Sequence, residues 1–372
     1  MQALNSERSA LNHIRVFEAF AGYGSQSMAL RRLSHDYPRF SFEAVGISEI
    51  DRYALQAYRA VHGDVTNYGD ITRIDWGNVP DFDLLTYSFP CQDVSFAGKQ
   101  QGFSEGSGTR SSLLWECRKA ILAKRPRWLL MENVKALVSE KFLPLFREWE
   151  QWLASIGYRN YTQVLNAKDY GVPQNRERVF MVSTLSDIPY FFPKPLDVKC
   201  CLGDILEENV DGRYFLSEKM VDGFIHRNEI AKEKGNGFRF EPVDGSGIAA
   251  AVLTAAGSRA DDNYVYACAV RGRDDGNRQT LEADSSVANA ITSVQKDSMV
   301  TNGLRIRKLT ERECFRLMNV SESDIDKIQA AGISRTQQYK MAGNSIVVAV
   351  LYHIFRKMFI QPECETKQLR LF

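Results

Sequence analysis

Residues 14–37 read IRVFEAFAGYGSQSMALRRLSHDY. IRVFEAFAG is short and β-prone, and GYGSQSMALRRLSHDY continues with helical apolar spacing at Met28 and Leu33. This is a strand, a glycine turn and a helix, and the alternation recurs downstream. FEAVGISEI (42–50) leads into the helical DRYALQAYRAVHG, and DFDLLTYSF (81–89) is an apolar run of strand length. SLLWECRKAILAKR is an amphipathic helix, RWLLMEN a strand, FLPLFREWEQWLASIG a helix closed by glycine, and YTQVLNA a further strand. Such alternation predicts an α/β fold with parallel strands and helices on both faces. Polar residues at the strand ends then line the carboxyl edge of the sheet, where ligands bind in such folds.

The texture changes after VFMVSTLS. FFPKP is a proline-punctuated connection, and the stretch beyond it is rich in Gly, Asp, Asn and short β-like runs. A boundary near Lys194 gives a first domain over 1–194 and a smaller, mostly β domain over 195–304. A connecting hinge over 305–336 and a C-terminal stretch over 337–372 follow. In the last stretch YKMAGNSIVVAVLYHIFRKMF reads as a strongly apolar helix entered through Gly343-Asn344-Ser345. That helix is too hydrophobic for a free tail, so it is expected to return to the first domain. Within 195–304, GIAAAVLTAAGSRADDNYV and SSVANAITSVQKDSMV look like weak copies of one hairpin pattern.

At 372 residues, with domains of roughly 150 residues each, about two domains fit. Apolar residues make up 44% and charged residues 25%, which excludes disordered and collagenous chains. Lys and Arg number 47 against 46 Asp and Glu, so any contact with nucleic acid rests on local patches. No run approaches the ~18 apolar residues of a membrane helix, and MQALNSERSALNHIR lacks the apolar core of a secretory leader. Seven cysteines without framework spacing suit free thiols in a reducing cytoplasm.

The residues suited to chemistry sit at strand ends. Phe20-Ala-Gly22-Tyr23-Gly24-Ser25 lets a backbone approach a ligand and opens a helix N-terminus towards it. Glu49, ending the next strand, can accept hydrogen bonds from two ribose hydroxyls. Ser88-Phe89-Pro90-Cys91-Gln92 ends an apolar strand ahead of a long Gly/Ser-rich loop, VSFAGKQQGFSEGSGTRSS. Long loops inside compact domains are usually functional, and a cysteine placed there is a candidate nucleophile. Glu132-Asn133-Val134 ends the following strand at the same edge, and Gln174-Asn175-Arg176-Glu177-Arg178 adds two arginines able to reach it.

FEAFAGYGSQ, PCQ, ENV, QNRER and AGNS, in this order, resemble the cytosine-C5 DNA methyltransferases. The likeness spans roughly 14–183 and 305–356. It implies a Rossmann-like catalytic domain dependent on S-adenosylmethionine, with a target-recognition domain between motifs and double-stranded DNA as substrate. Carried over by residue, Phe20, Gly22, Tyr23, Gly24 and Ser25 would surround the cofactor, Glu49 would bind its ribose, and Pro90, Asn344 and Ser345 would complete the site. Both GDVT at Asp64 and GDIT at Asp70 fit the adenine-binding acid. The spacing to Cys91 selects Asp70, with Ile71. Cys91 would be the nucleophile and Glu132 the partner of cytosine N3. Arg178 would meet cytosine O2, with Arg176 in support. Three positions depart from the family pattern: Glu18 stands where Asp is commoner, Ser88-Phe89 where Gly-Pro or Gly-Phe is usual, and Ser25 where Gly is frequent. They lie beside the reacting groups without replacing them.

C5 of cytosine is a poor nucleophile, and a thiolate adding at C6 turns the ring into an enamine. Sulfur suits this task because a few per cent is already thiolate near neutrality. The base must leave the duplex first. The loop from Gln92 to about Arg110 would close on it, while turns around Arg259–Asn263 and Arg271–Arg278 would contact the groove. A monomer is expected, with a cognate restriction endonuclease acting separately as a possible companion. Two other readings compete. A tRNA cytosine-C5 methyltransferase on the same scaffold would carry a Cys-Phe-Thr tripeptide, which is absent. An inactive DNA-binding regulator has no need of Cys91, Glu132 and Arg178 together.

Overall fold

The computed structural model describes residues 13–90, 110–233, 240–243, 245–254, 263–268, 271–273, 279–281 and 304–360. Strands β1 (His13–Ala19), β2 (Ser41–Ser48), β3 (Leu84–Tyr87) and β4 (Trp128–Val134) alternate with helices α1 (Ser25–Asp36), α2 (Arg52–His62) and α3 (Cys117–Lys124). Helix α4 (Leu143–Ser155) and strands β5 (Arg159–Asn166), β6 (Gln174–Asn175) and β7 (Glu177–Thr184) follow. Six of these strands form one sheet in the order β2-β1-β3-β4-β7-β5.

The sheet is mixed, which corrects the wholly parallel arrangement that the alternation of elements suggests. β1 pairs in parallel with β2 and β3, and β3 with β4, whereas β7 runs antiparallel to both β4 and β5. The reason is the connection from β5 to β7. Residues 167–176 hold only a single 3-10 turn and the two-residue β6, too little for the crossover of a dozen or more residues that a parallel return needs. The chain therefore doubles back.

Side chains alternate across the pleat and build a core on each face. Ile14, Val16, Leu84, Leu130, Phe180 and Val182 pack beneath Met28, Leu30 and Leu33 of α1. Phe17, Leu85, Leu129, Met131, Val179 and Met181 face Ile121 of α3 and Phe146, Trp149 and Leu153 of α4. Each fully buried apolar side chain contributes about 1.5–3 kcal/mol.

Beyond the sheet come α5 (Glu218–Glu233), β8 (Ala249–Ala250), β9 (Tyr264–Cys268), β10 (Arg271–Arg273), β11 (Gln279–Leu281) and β12 (Leu304–Lys308). β9 pairs antiparallel with β12, β10 with β11, and β8 lies parallel to β6. The second of the two hairpin-like repeats lies outside the described residues, as do most of the turns at 259–263 and 271–278.

Helices α6 (Glu311–Arg316), α7 (Glu322–Ala330), α8 (Arg335–Asn344) and α9 (Val348–Phe359) complete the chain. The apolar C-terminal stretch is thus two helices: YKMAGN closes α8, Ser345 breaks the path, and α9 begins at Val348. α9 lies on the α1 face of the sheet. Phe359 stacks on Phe40 with ring centroids 5.5 Å apart, and the Tyr352 hydroxyl donates to Asp36 at 2.7 Å.

Candidate active site

The glycine turn between β1 and α1 takes left-handed backbone at Phe20 (φ 57°), Gly22 (φ 60°) and Gly24 (φ 84°). At Gly24 a side chain is also excluded sterically, since a Cβ would fall 2.4 Å from His62 Nε2 and 2.8 Å from the Tyr58 ring. His62 supports the turn from behind. Burial, and then Arg31, push its pKa down to about 4, so the neutral ring donates from Nε2 to the Tyr23 carbonyl at 3.2 Å.

Glu49 closes the other side. Its two carboxylate oxygens accept the amides of Gly22 at 2.8 Å and Asp51 at 2.6 Å. Burial raises its pKa, and these amides oppose the rise. The Ile50 amide also bonds to this carboxylate, and of its about four lone-pair sites at least one is left for a ligand. Asn67 ties this strand end to the following loop. It donates to the Glu49 carbonyl at 2.9 Å and accepts from the amides of Glu49 and Gly69 at 3.1 and 3.0 Å. Ser48 adds a bond to the Gly69 carbonyl at 2.7 Å. Asp70, next in line, accepts from the Thr72 amide and hydroxyl, which hold its carboxyl below the usual range, and Ile71 is buried behind it. Asp64 has a 98% exposed side chain at the end of α2. Asn67 and Ser48 thus tie the end of β2 to Gly69, the residue before Asp70.

A second group forms where β3 and β4 end. Asn133 is buried and donates to the Phe89 carbonyl at 3.0 Å, fixing the backbone that leads into Pro90. Cys91 and the loop 92–109 lie outside the described residues. Glu132 is 8% exposed, and burial raises its pKa. Arg178, Arg176 and the Ser88 hydroxyl oppose that shift. Arg178 Nε lies 3.3 Å from Glu132 Oε1. The two meet because β7 is reversed: Val134 pairs with Arg178, so the start of β7 lies at the carboxyl end of β4.

Arg176 is placed differently from Arg178. It is 3% exposed and donates to the carbonyls of Val252, Gly343 and Ser345 at 3.0, 2.9 and 2.7 Å. Ser345 in turn meets Ser25, with hydroxyl oxygens 2.5 Å apart, so the end of α8 adjoins the first turn of α1. Asn344 is exposed beside it, and Tyr23 is buried against Phe315. Asn67, Asn133, His62 and Gln174 are supports that reading the sequence did not single out for a role. Only Asn133 and Gln174 lay inside a recognised motif.

One edge of the sheet thus carries a glycine turn held by a carboxylate, a buried acid paired with arginine, and the Phe89-Pro90 segment after β3 tied to Asn133. The sequence profile of the C-5 cytosine-specific DNA methylases matches residues 14–360. The chain belongs to this family. It is a DNA (cytosine-5)-methyltransferase. Among its relatives, the type II methyltransferase M2.ScrFI of Lactococcus lactis subsp. cremoris is 35% identical, covering 93% of this chain and 99% of the relative. M.NlaX of Neisseria lactamica is 32% identical over 92% and 96%, and the orphan methyltransferase M.SPRI of Bacillus phage SPR 28% over 95% and 100%. Solved structures with the same fold include the S. pombe Dnmt2 methyltransferase, at TM-score 0.67 and 18% identity over 94% of this chain and 99% of that one. Another is Entamoeba histolytica EhMeth, at TM-score 0.69 and 16% identity over 93% and 98%. No helix among the methyltransferase's described residues is long and apolar enough to cross a membrane.

Proposed function

We propose that this DNA (cytosine-5)-methyltransferase takes S-adenosylmethionine as methyl donor and acts on a flipped-out cytosine within one short sequence of double-stranded DNA. The observation that carries the reading is the convergence of the Gly22–Glu49 turn with the Glu132–Arg178 pair along one sheet edge. The cofactor fits the first of these. Glu49 keeps an acceptor site for a ribose hydroxyl, and a Cβ at Gly22 would meet nothing within 4 Å, leaving the turn open on that side. Phe20, Tyr23, Gly24, Ser25, Asp70, Ile71, Pro90, Asn344 and Ser345 complete the binding set. Bound there, S-adenosylmethionine supplies an electrophilic methyl group.

Cys91 adds as thiolate to cytosine C6, which makes C5 nucleophilic enough to take up the methyl group. Burial shifts Glu132 towards its neutral form, and it donates to N3 as charge builds on the ring. Arg178 donates to O2. Loss of the C5 proton and β-elimination then release Cys91. Residues 1–194 and the C-terminal segment 337–372 form the catalytic unit, 195–304 read the target, and 305–336 hinge the two. The enzyme works as a monomer in the cytoplasm, with a separate endonuclease of the same specificity as companion, as the type II designation of its relatives suggests.

Bisulfite sequencing of genomic DNA tests this, using a host without C5 methylation that expresses either the wild type or Cys91→Ala. The expected result is methylation confined to one short motif for the wild type and none for the variant. Methylation retained by Cys91→Ala would overturn the nucleophile. A blank genome from soluble, cofactor-binding wild type would overturn the DNA substrate.

A further inference from the structure

The QNRER segment carries two arginines two residues apart, and the fold sends them in different directions. Arg178 stands by Glu132 at the mouth of the site. Arg176 is enclosed, its guanidinium spread over carbonyls from two distant parts of the chain: Val252 on one side, Gly343 and Ser345 on the other. Gln174 closes the same seam. Its Oε1 accepts from the Val252 amide at 3.0 Å, and its Nε2 donates to the Leu317 carbonyl at 2.6 Å. The seam is tight at the backbone level, since a Cβ on Gly343 would lie 2.4 Å from Leu253 C and 2.5 Å from Thr254 N. β6 adds its pairing with β8, Gln174 opposite Ala249 and Asn175 opposite Ala250. The path then runs on through Ser345 to Ser25 in the first turn of α1.

We propose that Arg176 is a positioning residue for the cofactor site, clamping Ser345 to the segment 249–254, and is not a contact of the cytosine. The assignment rests on the reading that Ser345 and the turn over 20–25 border S-adenosylmethionine. The planar guanidinium spreads its donors over two terminal nitrogens, Nη1 for Val252 and Nη2 for Gly343 and Ser345, whereas a lysine ammonium gathers its donors on one nitrogen. Without the clamp the end of α8 is released, and with it the wall that Ser345 presents to Ser25. Coupling between sites is reciprocal. Cofactor bound beside Ser345 therefore tightens the 249–254 segment, which enters the region proposed to read DNA.

Two measurements on the full-length protein test the clamp. In calorimetric titration with S-adenosylmethionine, without DNA and well below each unfolding midpoint, Arg176→Lys is expected to bind more than tenfold more weakly than wild type. Arg178→Lys, which acts on the base, stays within twofold of wild type. A wild-type dissociation constant for Arg176→Lys would overturn the proposal, since a cytosine contact has no effect before DNA arrives. The second measurement needs no variant and decides the matter if Arg176→Lys does not fold. S-adenosylmethionine is expected to slow hydrogen exchange of the wild-type Val252 amide, and unchanged exchange there would overturn the coupling. Failure of the wild type to bind S-adenosylmethionine at all would instead overturn the cofactor reading, and the clamp with it.

Discussion

Glu18 and Glu132 are both carboxyl groups buried on strands of the sheet, and their neighbours give them different tasks. Glu132 has Arg178 beside it and the open end of the strand before it. Burial favours its neutral form and the arginines favour its charged form, a balance that suits a group donating a proton to a substrate. Glu132→Gln keeps the shape and a donor but loses the transferable proton. Turnover should fall by about 10²–10⁴ while S-adenosylmethionine affinity is unchanged; near-normal kcat in single-turnover assays would contradict the role. Glu18 has no such exit. It is fully buried beside Ser27 and Tyr58, with Ser27 donating to it, and burial pushes its pKa up to about 7. An acid whose folded pKa lies above its unfolded value stabilises fully below the unfolded pKa. That stabilisation is lost as pH rises through the folded one. Between pH 5 and pH 8 the wild type should therefore lose up to about 3 kcal/mol from this group. Melting curves at both pH values should show a flatter pH dependence of Tm for Glu18→Gln, and parallel slopes would refute the assignment.

At the level of elements, most of the sheet is legible because apolar period and turn residues act locally. β1 to β4 and their helices follow from spacing alone, and the glycine turn marks where the ligand end lies. The direction of β7 does not follow, because direction depends on the partner strand and on whether the connection has room for a crossover. That one reversal matters for chemistry: residues preceding a parallel strand would lie at the opposite edge, far from Glu132. The supports were equally hidden. Asn67 and His62 are single residues of common type, and their role appears only when a strand end and a loop meet around them. The break at Ser345 was masked by the apolar continuity of its flanks. The glycine turn offers a graded test. Gly22→Ala meets open space and bears only the left-handed backbone cost of about 1–2 kcal/mol. Gly24→Ala bears that cost and also drives a methyl into His62 and Tyr58. Urea titrations should place Gly24→Ala clearly below Gly22→Ala in stability, and equal midpoints would show that the His62 ring moves aside freely.

For the whole molecule, the last described segments hold the first ones in place. Lys340 on α8 pairs with Asp51, the cap of α2, at 2.6 Å, and Gln56 on α2 reaches the Ala331 carbonyl at 2.6 Å. Arg31 on α1 pairs with Asp324 on α7 at 2.5 Å. α9 covers the α1 face of the sheet with Val348, Leu351, Ile354, Phe355 and Phe359. This packing implies that the C-terminal helix and the sheet unfold together. Phe355 is fully buried, and its ring stacks on Phe359. Phe355→Ala removes a large core side chain far along the chain from Cys91 and should cost about 3–5 kcal/mol. If α9 belongs to the same cooperative unit as β1–β4, the urea midpoint falls while the slope of the transition stays constant. Helix and tryptophan signals should then still coincide, since Trp128 and Trp149 lie in the sheet and in α4. An early, separate loss of helix signal with the tryptophan transition unmoved would show instead that α9 is an independent flap, and the catalytic sheet would then owe its stability to α1 and to the α3–α4 face.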